Sequence, residues 1–581
     1  MTALPATQPA IQLVGPDQIR LNPAKPMPAL GPHDIRLRID ACGICFSDTK
    51  LSHAFTAHPR KAAVVRVATD AVAAAGGGFD PAASQAELLA ELAAMSQYVP
   101  GDAPTVPGHE PTAHIVEIGS AVAHHQVGQR VLVQTDYRHL ATPGSNAAFG
   151  YNFEGGLAQY AIVDERVVIE PTSGDHFLLP VDSAVSASAV ALIEPWACVE
   201  AAYTWGERQQ VKPGSRLLVV VEPGHTPDGL AGVLGSAQPA SIDLIGQAGA
   251  ELAPWPGVRQ LDWADLSDDR RWDDIVYYGA RAEALESLAR HVGFAGLLAF
   301  ALCGGQVDRP VQIDVGRVHY DLIRLAGTPG SAIAEAYARI PASSEVRPGE
   351  RMAIIGAAGP MGLMHSLRTV VAGVADVQVA AVDVDDSRLA HLAATVAPAA
   401  RDHGVPASFH NSAVEPLTPG YSYIAVLVPS PALLAQAVDL AGPGAIVNAF
   451  AGFAVGTTAA LDLNALATRG VYLVGTSGSR IVDMKAVLAK VESGLLDTNV
   501  SLDAVCGLAG VADAIESVRN RTSGGKIMVY PAAVDLGLIR LTDLPDRLPE
   551  VAAAMVDGRW TSAAEAALLA RARPESDRNE D

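Results

Sequence analysis

Cysteine is scarce in this chain, and its scarcity excludes one class of protein. Five cysteines are spread over 581 residues, at Cys42, Cys45, Cys198, Cys303 and Cys506. An odd number at such wide spacing cannot form the disulfide framework that stabilises small secreted domains. The cysteine usage therefore predicts a reducing compartment, and we expect the protein to be cytoplasmic.

Basic residues are also few. The chain has 41 Lys and Arg against 63 Asp and Glu, which gives a formal net charge of −22. Such a charge repels the phosphate backbone of nucleic acids and anionic membrane surfaces. The sequence also lacks an unbroken apolar run of membrane-spanning length, and its first residues do not resemble a signal peptide. We therefore expect neither a nucleic-acid nor a membrane partner.

Apolar residues, in contrast, are abundant. The composition is 49% hydrophobic and 18% charged, which suits a globular protein of three or four domains. Alternating apolar residues with Gly and Pro between them predict a β-rich domain over residues 1–205. Residues 53–100 interrupt this pattern as an Ala-rich insertion, with a break at Gly76-Gly77-Gly78 and a helix opened by a capping box from Ser84 to Glu87.

An internal repeat follows the β-rich domain. The segment VKPGSRLLVVV at 211–221 is echoed by VRPGERMAIIG at 346–356, a shift of 349 − 214 = 135 between the two Pro-Gly glycines. Further along, DVGRVHYDLIRLAGTPGS at 314–331 is echoed by DLNALATRGVYLVGTSGS at 462–479, a shift of 462 − 314 = 148. Two matches in the same order indicate a duplicated domain.

Apolar strands alternate with helical patterns in both copies, as in a doubly wound parallel sheet. We assign the first copy to residues 206–345 and the second to 346–490. Residues 491–581 are expected to complete the β-rich domain and to add a helical tail. The predicted fold class is α/β with a β-rich domain and two tandem Rossmann-type domains.

The second copy carries a dinucleotide-binding pattern. A strand runs into Gly356-Ala-Ala-Gly359-Pro-Met-Gly362, then a helix, then a strand that ends at Asp383. The glycines let the backbone approach a pyrophosphate, and an acid 383 − 362 = 21 residues further on can accept the ribose hydroxyls. That acid would repel a 2′-phosphate, so NAD is favoured over NADP. The predicted cofactor-binding residues are Gly356, Gly359, Pro360, Met361, Gly362, Asp383 and Arg388.

The first copy has lost most of this pattern. Val221, Gly224 and Pro227 stand where the second copy has its three glycines. Proline removes an amide donor, and Glu222 would bring negative charge to the phosphates. We therefore interpret the first copy as degenerate and structural.

The β-rich domain contains residues that suit a catalytic zinc site. Cys45, the pair His109-Glu110 and Glu194 supply a thiolate, an imidazole and carboxylates, a mixed ligand set that leaves a coordination position for water or substrate. Any one of these residues alone would be interpreted as structural. Their surroundings change that interpretation.

The segments CGICFSD, PGHE, VGQRV, EGGLAQYAIV and IEPWAC occur in the order seen in zinc-dependent medium-chain dehydrogenases. The chain resembles the sorbitol and threonine dehydrogenase branch in particular. The resemblance implies a GroES-like catalytic domain in which Cys45 and His109 bind one zinc ion, with Glu110 or Glu194, or both in exchange, completing the ligands. It also implies a homo-oligomer, a dimer or tetramer. The C-terminal third, including LIRLTDLPDRLPEVAAAMVDGRWTSAAEAALL, resembles L-sorbose-1-phosphate reductases.

The same resemblance assigns roles beside the metal. Ser47 would pass the substrate proton outward, and Asp48 would orient the site. Lys50 stands where the family often has a histidine, so it would assist the proton relay or contact the substrate. Residues 111–160 contain no cysteine, so the family's second, structural zinc is not expected. The first two ligands are 109 − 45 = 64 residues apart, further than is usual in the family, so the insertion could form a lid or an oligomer contact.

These features predict a zinc-dependent oxidoreductase that transfers hydride between NAD(H) and a polyol, a sugar or a sugar phosphate. Two alternatives stay open. One is a non-catalytic protein that senses NAD or serves as a scaffold through its duplicated domains, and the other is a zinc-free quinone reductase. We interpret His124-His125 as a solvated pair and place Cys42 and Cys198 outside the metal site.

Overall fold

The computed structural model describes residues 4–68, 79–80, 82–170, 173–182, 184–235, 237–247, 249–255 and 257–572. The chain divides into two compact units, one formed by residues 1–197 with 479–581 and the other by residues 198–478. Our boundaries after residues 205, 345 and 490 stay predictions. Among the described residues, no helix is long and apolar enough to cross a membrane.

The strands, numbered in chain order, are β1 (Thr7–Gly15), β2 (Gln18–Pro26), β3 (Asp34–Ile44), β4 (Arg66–Val67), β5 (Glu110–Ile118), β6 (Arg130–Val133), β7 (Asp136–Thr142), β8 (Ser145–Ala148), β9 (Tyr160–Asp164), β10 (Leu178–Pro180), β11 (Arg216–Val221), β12 (Ser241–Ile245), β13 (Arg259–Leu261), β14 (Trp272–Tyr278), β15 (Val292–Ala301), β16 (Val311–Asp314), β17 (Arg324–Thr328), β18 (Arg351–Ile355), β19 (Gln378–Asp383), β20 (Ala407–Asn411), β21 (Tyr421–Val426), β22 (Ala441–Ala449), β23 (Thr458–Leu461), β24 (Tyr472–Gly475), β25 (Leu502–Cys506), β26 (Lys526–Val529) and β27 (Ile539–Arg540).

The α-helices are α1 (Phe46–Ala54), α2 (Gln85–Ala93), α3 (Ala187–Ala191), α4 (Ile193–Thr204), α5 (Leu230–Leu234), α6 (Ala282–His291), α7 (Val315–Tyr320), α8 (Ile333–Ala338), α9 (Pro360–Val371), α10 (Asp386–Asp402), α11 (Pro431–Leu440), α12 (Leu463–Arg469), α13 (Ile481–Glu492), α14 (Val511–Arg519), α15 (Leu544–Arg547), α16 (Pro549–Ala552) and α17 (Ser562–Ala572).

The first unit is built on a mostly antiparallel sheet in the order β10-β6-β5-β3-β26-β25-β27, with β9 also paired to β3. Strand β3 lies in the middle of this order, and most of its residues are buried. Strand β26 of the C-terminal segment pairs with the end of β3, from Ile527 opposite Ile44 to Val529 opposite Cys42. The end of the chain therefore helps to hold the segment that leads into Cys45.

The insertion contributes a short strand and a helix to this unit. Strand β4 pairs with β7 in a small separate sheet. Helix α2 begins with the expected capping box, in which the Ser84 hydroxyl accepts a hydrogen bond from Glu87 N at 3.3 Å and a Glu87 carboxylate oxygen accepts one from Ser84 N at 2.8 Å. The Gly76-Gly77-Gly78 break lies outside the described residues.

The second unit contains a continuous sheet in the order β13-β12-β11-β14-β15-β17-β24-β22-β21-β18-β19-β20. The halves of this sheet meet between β17 and β24. Each half has the doubly wound strand order of a dinucleotide-binding domain, with β11 as the first strand of one half and β18 as the first strand of the other. The central strands are apolar on both faces, as parallel strands covered by helices require. The predicted fold class, with two tandem Rossmann-type domains beside a β-rich domain, is confirmed.

Candidate functional site

Cys45 lies at the turn between strand β3 and helix α1. Its backbone is extended, and its N–H donates a hydrogen bond of 2.8 Å to a carboxylate oxygen of Asp48 in the first turn of the helix. This contact satisfies an amide at the helix start and fixes the turn. The thiol is half-buried, and the Asp48 side chain is buried.

His109 immediately precedes strand β5. Its Nδ1 lies 3.2 Å from the other carboxylate oxygen of Asp48, and its Nε2 lies 2.9 Å from Ser47 Oγ. Burial by itself lowers the pKa of His109, but the adjacent Tyr151 oxygen and the Asp48 carboxylate hold that pKa well above its usual value. Helix α1 therefore supplies two side chains that orient one imidazole.

Glycines make room for this arrangement. Gly108 has φ +94°, and a Cβ there would come within 2.6 Å of Leu157 and 2.9 Å of the Cys42 sulfur. A Cβ on Gly43 would overlap with Glu110 Oε2. Glycine at these positions lets the strand ends approach closely enough for the side chains to meet.

Cys45, His109 and Glu110 form a group whose potential ligand atoms all lie within 4.8 Å of one another. Glu110 is fully buried, and its Oε2 has no hydrogen-bond partner among the described residues. A buried carboxylate oxygen without a partner costs free energy unless a cation satisfies it. Sulfur, nitrogen and oxygen donors at this spacing fit a zinc ion, so the residues present fit the predicted metal.

Lys526, on strand β26, is the residue that sequence reasoning missed at this site. Its Nζ donates a hydrogen bond of 2.6 Å to Glu110 Oε1, and both side chains are at least 96% buried because their exposures are 4% and 0%. Burial lowers the pKa of Lys526, but the charges of Glu110 and Cys45, with a smaller effect from Glu194, raise it overall. The carboxylate thus has one oxygen held by an ammonium group, while the other has no hydrogen-bond partner among the described residues.

Glu194, the alternative carboxylate ligand, is the second residue of helix α4 and is half-buried. Its charge reaches Lys526, but its carboxylate is not part of the group of ligand atoms within 4.8 Å. Lys50 is on helix α1, with its Nζ 5.7 Å from the centre of the Phe46 ring. Of the two candidate carboxylates, the structure brings Glu110 to the other ligands.

Three further residues surround the site and had no sequence signal. The Tyr151 ring lies 5.5 Å from the His109 ring and 5.1 Å from the ring of His58. The Arg60 guanidinium lies 5.6 Å from the Tyr151 ring centre and is 2.9 Å from Asp136. Burial, followed by the charges of Arg60 and Lys50, lowers the pKa of His58 to about 4. His58 and Arg60 both come from the insertion, which therefore contributes side chains close to the candidate metal ligands.

The predicted nucleotide loop follows strand β18 in the second unit. Gly356 has φ +87°, and a Cβ there would meet Val428 at 2.5 Å. Gly359 caps helix α9, which begins at Pro360 and continues with Met361. A Cβ on Gly362 would overlap with the backbone of Ala357. These are the tight turn, the open helix start and the close packing that a dinucleotide loop needs.

Asp383 and Arg388 both reach this loop. Asp383 is the last residue of strand β19, and its carboxylate accepts a hydrogen bond of 3.0 Å from Ala358 N. Arg388, in helix α10, donates a hydrogen bond of 2.8 Å to Ala358 O. The structure therefore brings the glycines, the acid and the arginine to one end of the sheet.

The corresponding place in the first repeat is altered. Val220 pairs with Ile245 as Ile355 pairs with Val382, so Gly246 stands where the second repeat has Asp383. Glu222 lies at the end of β11 and forms an ion pair of 3.0 Å with Arg281. The helix that follows, α5, has 5 residues against 12 in α9.

The interpretation of His124-His125 as a solvated pair is wrong. His124 is exposed, but His125 is only 5% exposed and its Nδ1 lies 2.7 Å from a Glu165 carboxylate oxygen. The pair is therefore not solvated as a whole. Cys42 is fully buried, and burial raises the pKa of its thiol, which agrees with its place outside the metal site.

Known proteins provide a match to a domain family and a similar fold. Residues 87–173 match the family model of the alcohol dehydrogenase GroES-like domain. The fold is similar to that of 2R,3R-butanediol dehydrogenase from Bacillus subtilis, with a TM-score of 0.50, 14% identity and coverage of 90% of this chain and 100% of that one. The domain match identifies an alcohol-dehydrogenase GroES-like segment within the β-rich domain, and the structural likeness shows a shared fold. They do not show the finer relation to L-sorbose-1-phosphate reductases.

Two curated proteins match part of the chain. The chain is 26% identical over 271 residues to the uncharacterized protein YggP of Escherichia coli K12. This match covers 39% of this chain and 60% of that protein. It is 24% identical over 270 residues to mannitol-1-phosphate 5-dehydrogenase of Aliivibrio fischeri, covering 40% of this chain and 62% of that enzyme. The match thus spans about three fifths of the length of these curated relatives.

Proposed function

We propose that the protein is a zinc-dependent oxidoreductase that transfers hydride between NAD(H) and a secondary alcohol or ketone of a polyol, sugar or sugar phosphate. The observation that carries the proposal is the meeting of Cys45, His109 and Glu110, a group in which the buried Glu110 carboxylate has one oxygen without a hydrogen-bond partner among the described residues. A scaffold or a zinc-free reductase has no need for a buried carboxylate oxygen beside a thiol and an imidazole. Zinc binding therefore separates the proposal from both alternatives.

Cys45, His109 and Glu110 would hold the metal, and a zinc ion bound there supplies the Lewis acid that lowers the pKa of a bound alcohol. Asp48 orients His109 by accepting a hydrogen bond from Nδ1–H, which leaves Nε2 as the ligand nitrogen. Ser47 Oγ, now 2.9 Å from that nitrogen, would accept the hydroxyl proton of the substrate while passing its own proton outward to solvent. The carbinol carbon would lose a hydride as the alcohol becomes a ketone.

NAD bound at the loop from Gly356 to Gly362 would accept that hydride. The loop offers backbone amides at the start of helix α9, where the pyrophosphate charge is favoured. The buried Asp383 carboxylate keeps acceptor capacity for the ribose hydroxyls, because each of its oxygens receives one backbone hydrogen bond. We expect one NAD per chain, in the second repeat.

Within the substrate range, we favour a phosphorylated polyol or sugar. Arg60 lies beside the Tyr151 ring and pairs with Asp136, and together with Lys50 it lowers the pKa of His58, so basic side chains of the insertion and of helix α1 border the site. Such a patch attracts an anionic group of a substrate whose hydroxyl is at the metal. The likeness to an enzyme named for mannitol 1-phosphate agrees with this choice.

Metal analysis tests the main proposal. Protein expressed with ample zinc should contain one zinc per chain. Cys45→Ala and His109→Ala should each abolish turnover and leave NAD binding unchanged, whereas Cys303→Ala, at another half-buried cysteine, should keep both. Absence of bound zinc in the wild type, or full turnover in Cys45→Ala, would contradict the proposal.

The substrate preference has its own test. Arg60→Met should raise KM for a phosphorylated polyol about tenfold, the effect of losing roughly 1.4 kcal/mol of binding, and should leave KM for the neutral polyol unchanged. Arg138→Met is the matched control, because Arg138 is a second arginine on Asp136. Equal effects on the two substrates would argue against a phosphate group at this position and leave the zinc proposal intact.

A further inference from the structure

The two repeats meet through residues that occupy the same position in each. Strands β17 and β24 pair antiparallel, with Leu325 opposite Leu473, and 473 − 325 = 148, the shift between the matching repeat sequences. Strands β16 and β23 also pair antiparallel, with Gln312 opposite Ala460, and 460 − 312 = 148. Equivalent residues face each other only across a two-fold axis, so the repeats are arranged as two subunits of a symmetric dimer would be.

We propose that the first repeat takes the place of a partner subunit, and that its function is to close the sheet edge of the NAD-binding repeat. Strand β24 without β17 would present unpaired backbone groups, and such an edge is a template for pairing with another chain. Leu325 and Leu473 are both 0% exposed. They belong to one apolar core cluster that includes residues of both repeats, so closing this edge also buries apolar surface.

The interface side of the first repeat has been kept. The Asn464 side chain makes two hydrogen bonds of 2.9 Å with the backbone of Val307, one as acceptor and one as donor. At the equivalent contact, Gly316 packs against Ala454 and Val455 so closely that a Cβ would come within 2.4 Å. The nucleotide side of the first repeat has Gly246 in place of the acid, and its helix is shorter. The two sides of the first repeat therefore differ in how closely they match the second repeat.

The contacts at this joint also favour pairing of the first repeat with the second over pairing of two identical repeats. Arg324 and Tyr472 are equivalent, since 472 − 324 = 148, and both bind Glu207. Arg324 Nε is 3.1 Å from the Glu207 carboxylate, and the Tyr472 hydroxyl donates a hydrogen bond of 2.6 Å to it. Two like repeats would bring the same side chain twice. Only the mixed pair supplies one cation and one hydroxyl, which favours pairing of the first repeat with the second.

This sheet edge is therefore not available for self-association, and one pair of nucleotide-type domains holds one NAD. If the chain forms the dimer or tetramer that its resemblance implies, it must use other surfaces. This inference rests on the sheet pairing and does not depend on the zinc or the substrate proposal.

Cysteine crosslinking in the full chain tests it. Gln312 and Ala460 are both exposed, so Gln312→Cys with Ala460→Cys should not disturb folding. Facing residues of antiparallel strands have Cα atoms about 4.5–5.5 Å apart, within the range a disulfide needs. Mild oxidation should yield a 312–460 disulfide within one chain, identified by peptide mass spectrometry, while each single variant should yield none. Disulfide-linked dimers through these positions, or no crosslink in the double variant, would overturn the proposal.

Two measurements guard against ambiguous results. Light scattering should give the same mass for the locked double variant and the wild type, and a mass that falls on locking would mean that the edge is used between chains. If the double variant is insoluble, hydrogen exchange of the wild type decides instead. The amides of β16 and β23 that face each other should stay protected at the lowest measurable concentration, and unprotected strands would overturn the proposal.

Discussion

Replacing Lys526 by Met removes the cation that pairs with Glu110 and keeps the apolar stem. The two side chains are 4% and 0% exposed, so the carboxylate left behind has no access to water. Removing one partner of such a pair costs about 3–5 kcal/mol, because an uncompensated charge stays buried. Each kcal/mol lowers Tm by roughly 2–4 °C in a domain of this size. The metal-free variant should therefore melt about 6–20 °C below the metal-free wild type.

Zinc should change this result if Glu110 Oε2 faces the metal. A divalent cation beside Oε2 compensates the same carboxylate whose other oxygen has lost Lys526. Most of the lost stability should then return when the variant is loaded with zinc. We expect the gap between variant and wild type to shrink to about 1–2 kcal/mol, by calorimetric melting with and without a chelator.

The matched control is Lys25→Met, which breaks another Lys–Glu pair of the same unit. Lys25 lies 2.8 Å from Glu154 with side-chain exposures of 10% and 15%. Because neither residue belongs to the group of candidate metal ligands, its loss should cost the same stability with and without zinc. If Lys526→Met is equally destabilised in both metal states, Glu110 does not act as a ligand and the reasoning fails.

Three further predictions concern other parts of the chain. Asp383→Ala should weaken NAD at least tenfold and narrow the preference for NAD over NADP in titration calorimetry; unchanged binding would contradict the assignment. Gly43→Ala should displace the Glu110 carboxylate and lower zinc content, whereas Gly537→Ala, where a Cβ meets nothing within 4 Å, should not. Burial raises the pKa of Asp136 but two arginines lower it to about 2, so this carboxylate should contribute about 2 kcal/mol above pH 4 that is lost as the pH falls toward 2. Asp136→Asn should therefore destabilise at pH 7 and have little effect near pH 2, as measured by urea unfolding.

The fold class could be predicted because its signals are local or repeated. Strand alternation around Ile35 to Ile39, the capping box at Ser84 and the two repeated segments each depend on residues close together in the sequence. The joint between the repeats has no such signal. Pairing of β17 with β24 depends on which edges are left open after each half has folded, which is a property of the tertiary structure.

The candidate site could likewise be predicted only in part. Cys45, His109 and Glu110 could be selected because they stand in short segments that resemble a known family. The choice between Glu110 and Glu194 could not be made, since either carboxylate suits zinc and only their distances differ. Lys526 was missed because it lies 416 residues from its partner and a lone lysine in a strand has no distinctive pattern. Its role becomes visible only where strand β26 brings it to the end of β3.

The surviving likeness between the repeats has a physical explanation. The segment 314–331 and its echo at 462–479 contain helices α7 and α12 and the paired edge strands β17 and β24. A change at this edge exposes backbone groups and apolar surface, so it costs stability in both repeats at once. A change in the nucleotide loop of the first repeat costs little, because Glu222 is compensated by Arg281 without any ligand. The joint therefore accounts for the likeness of residues 314–331 to residues 462–479. The other matching segments, 211–221 and 346–356, contain the first strand of each repeat, and the loops that follow these strands differ.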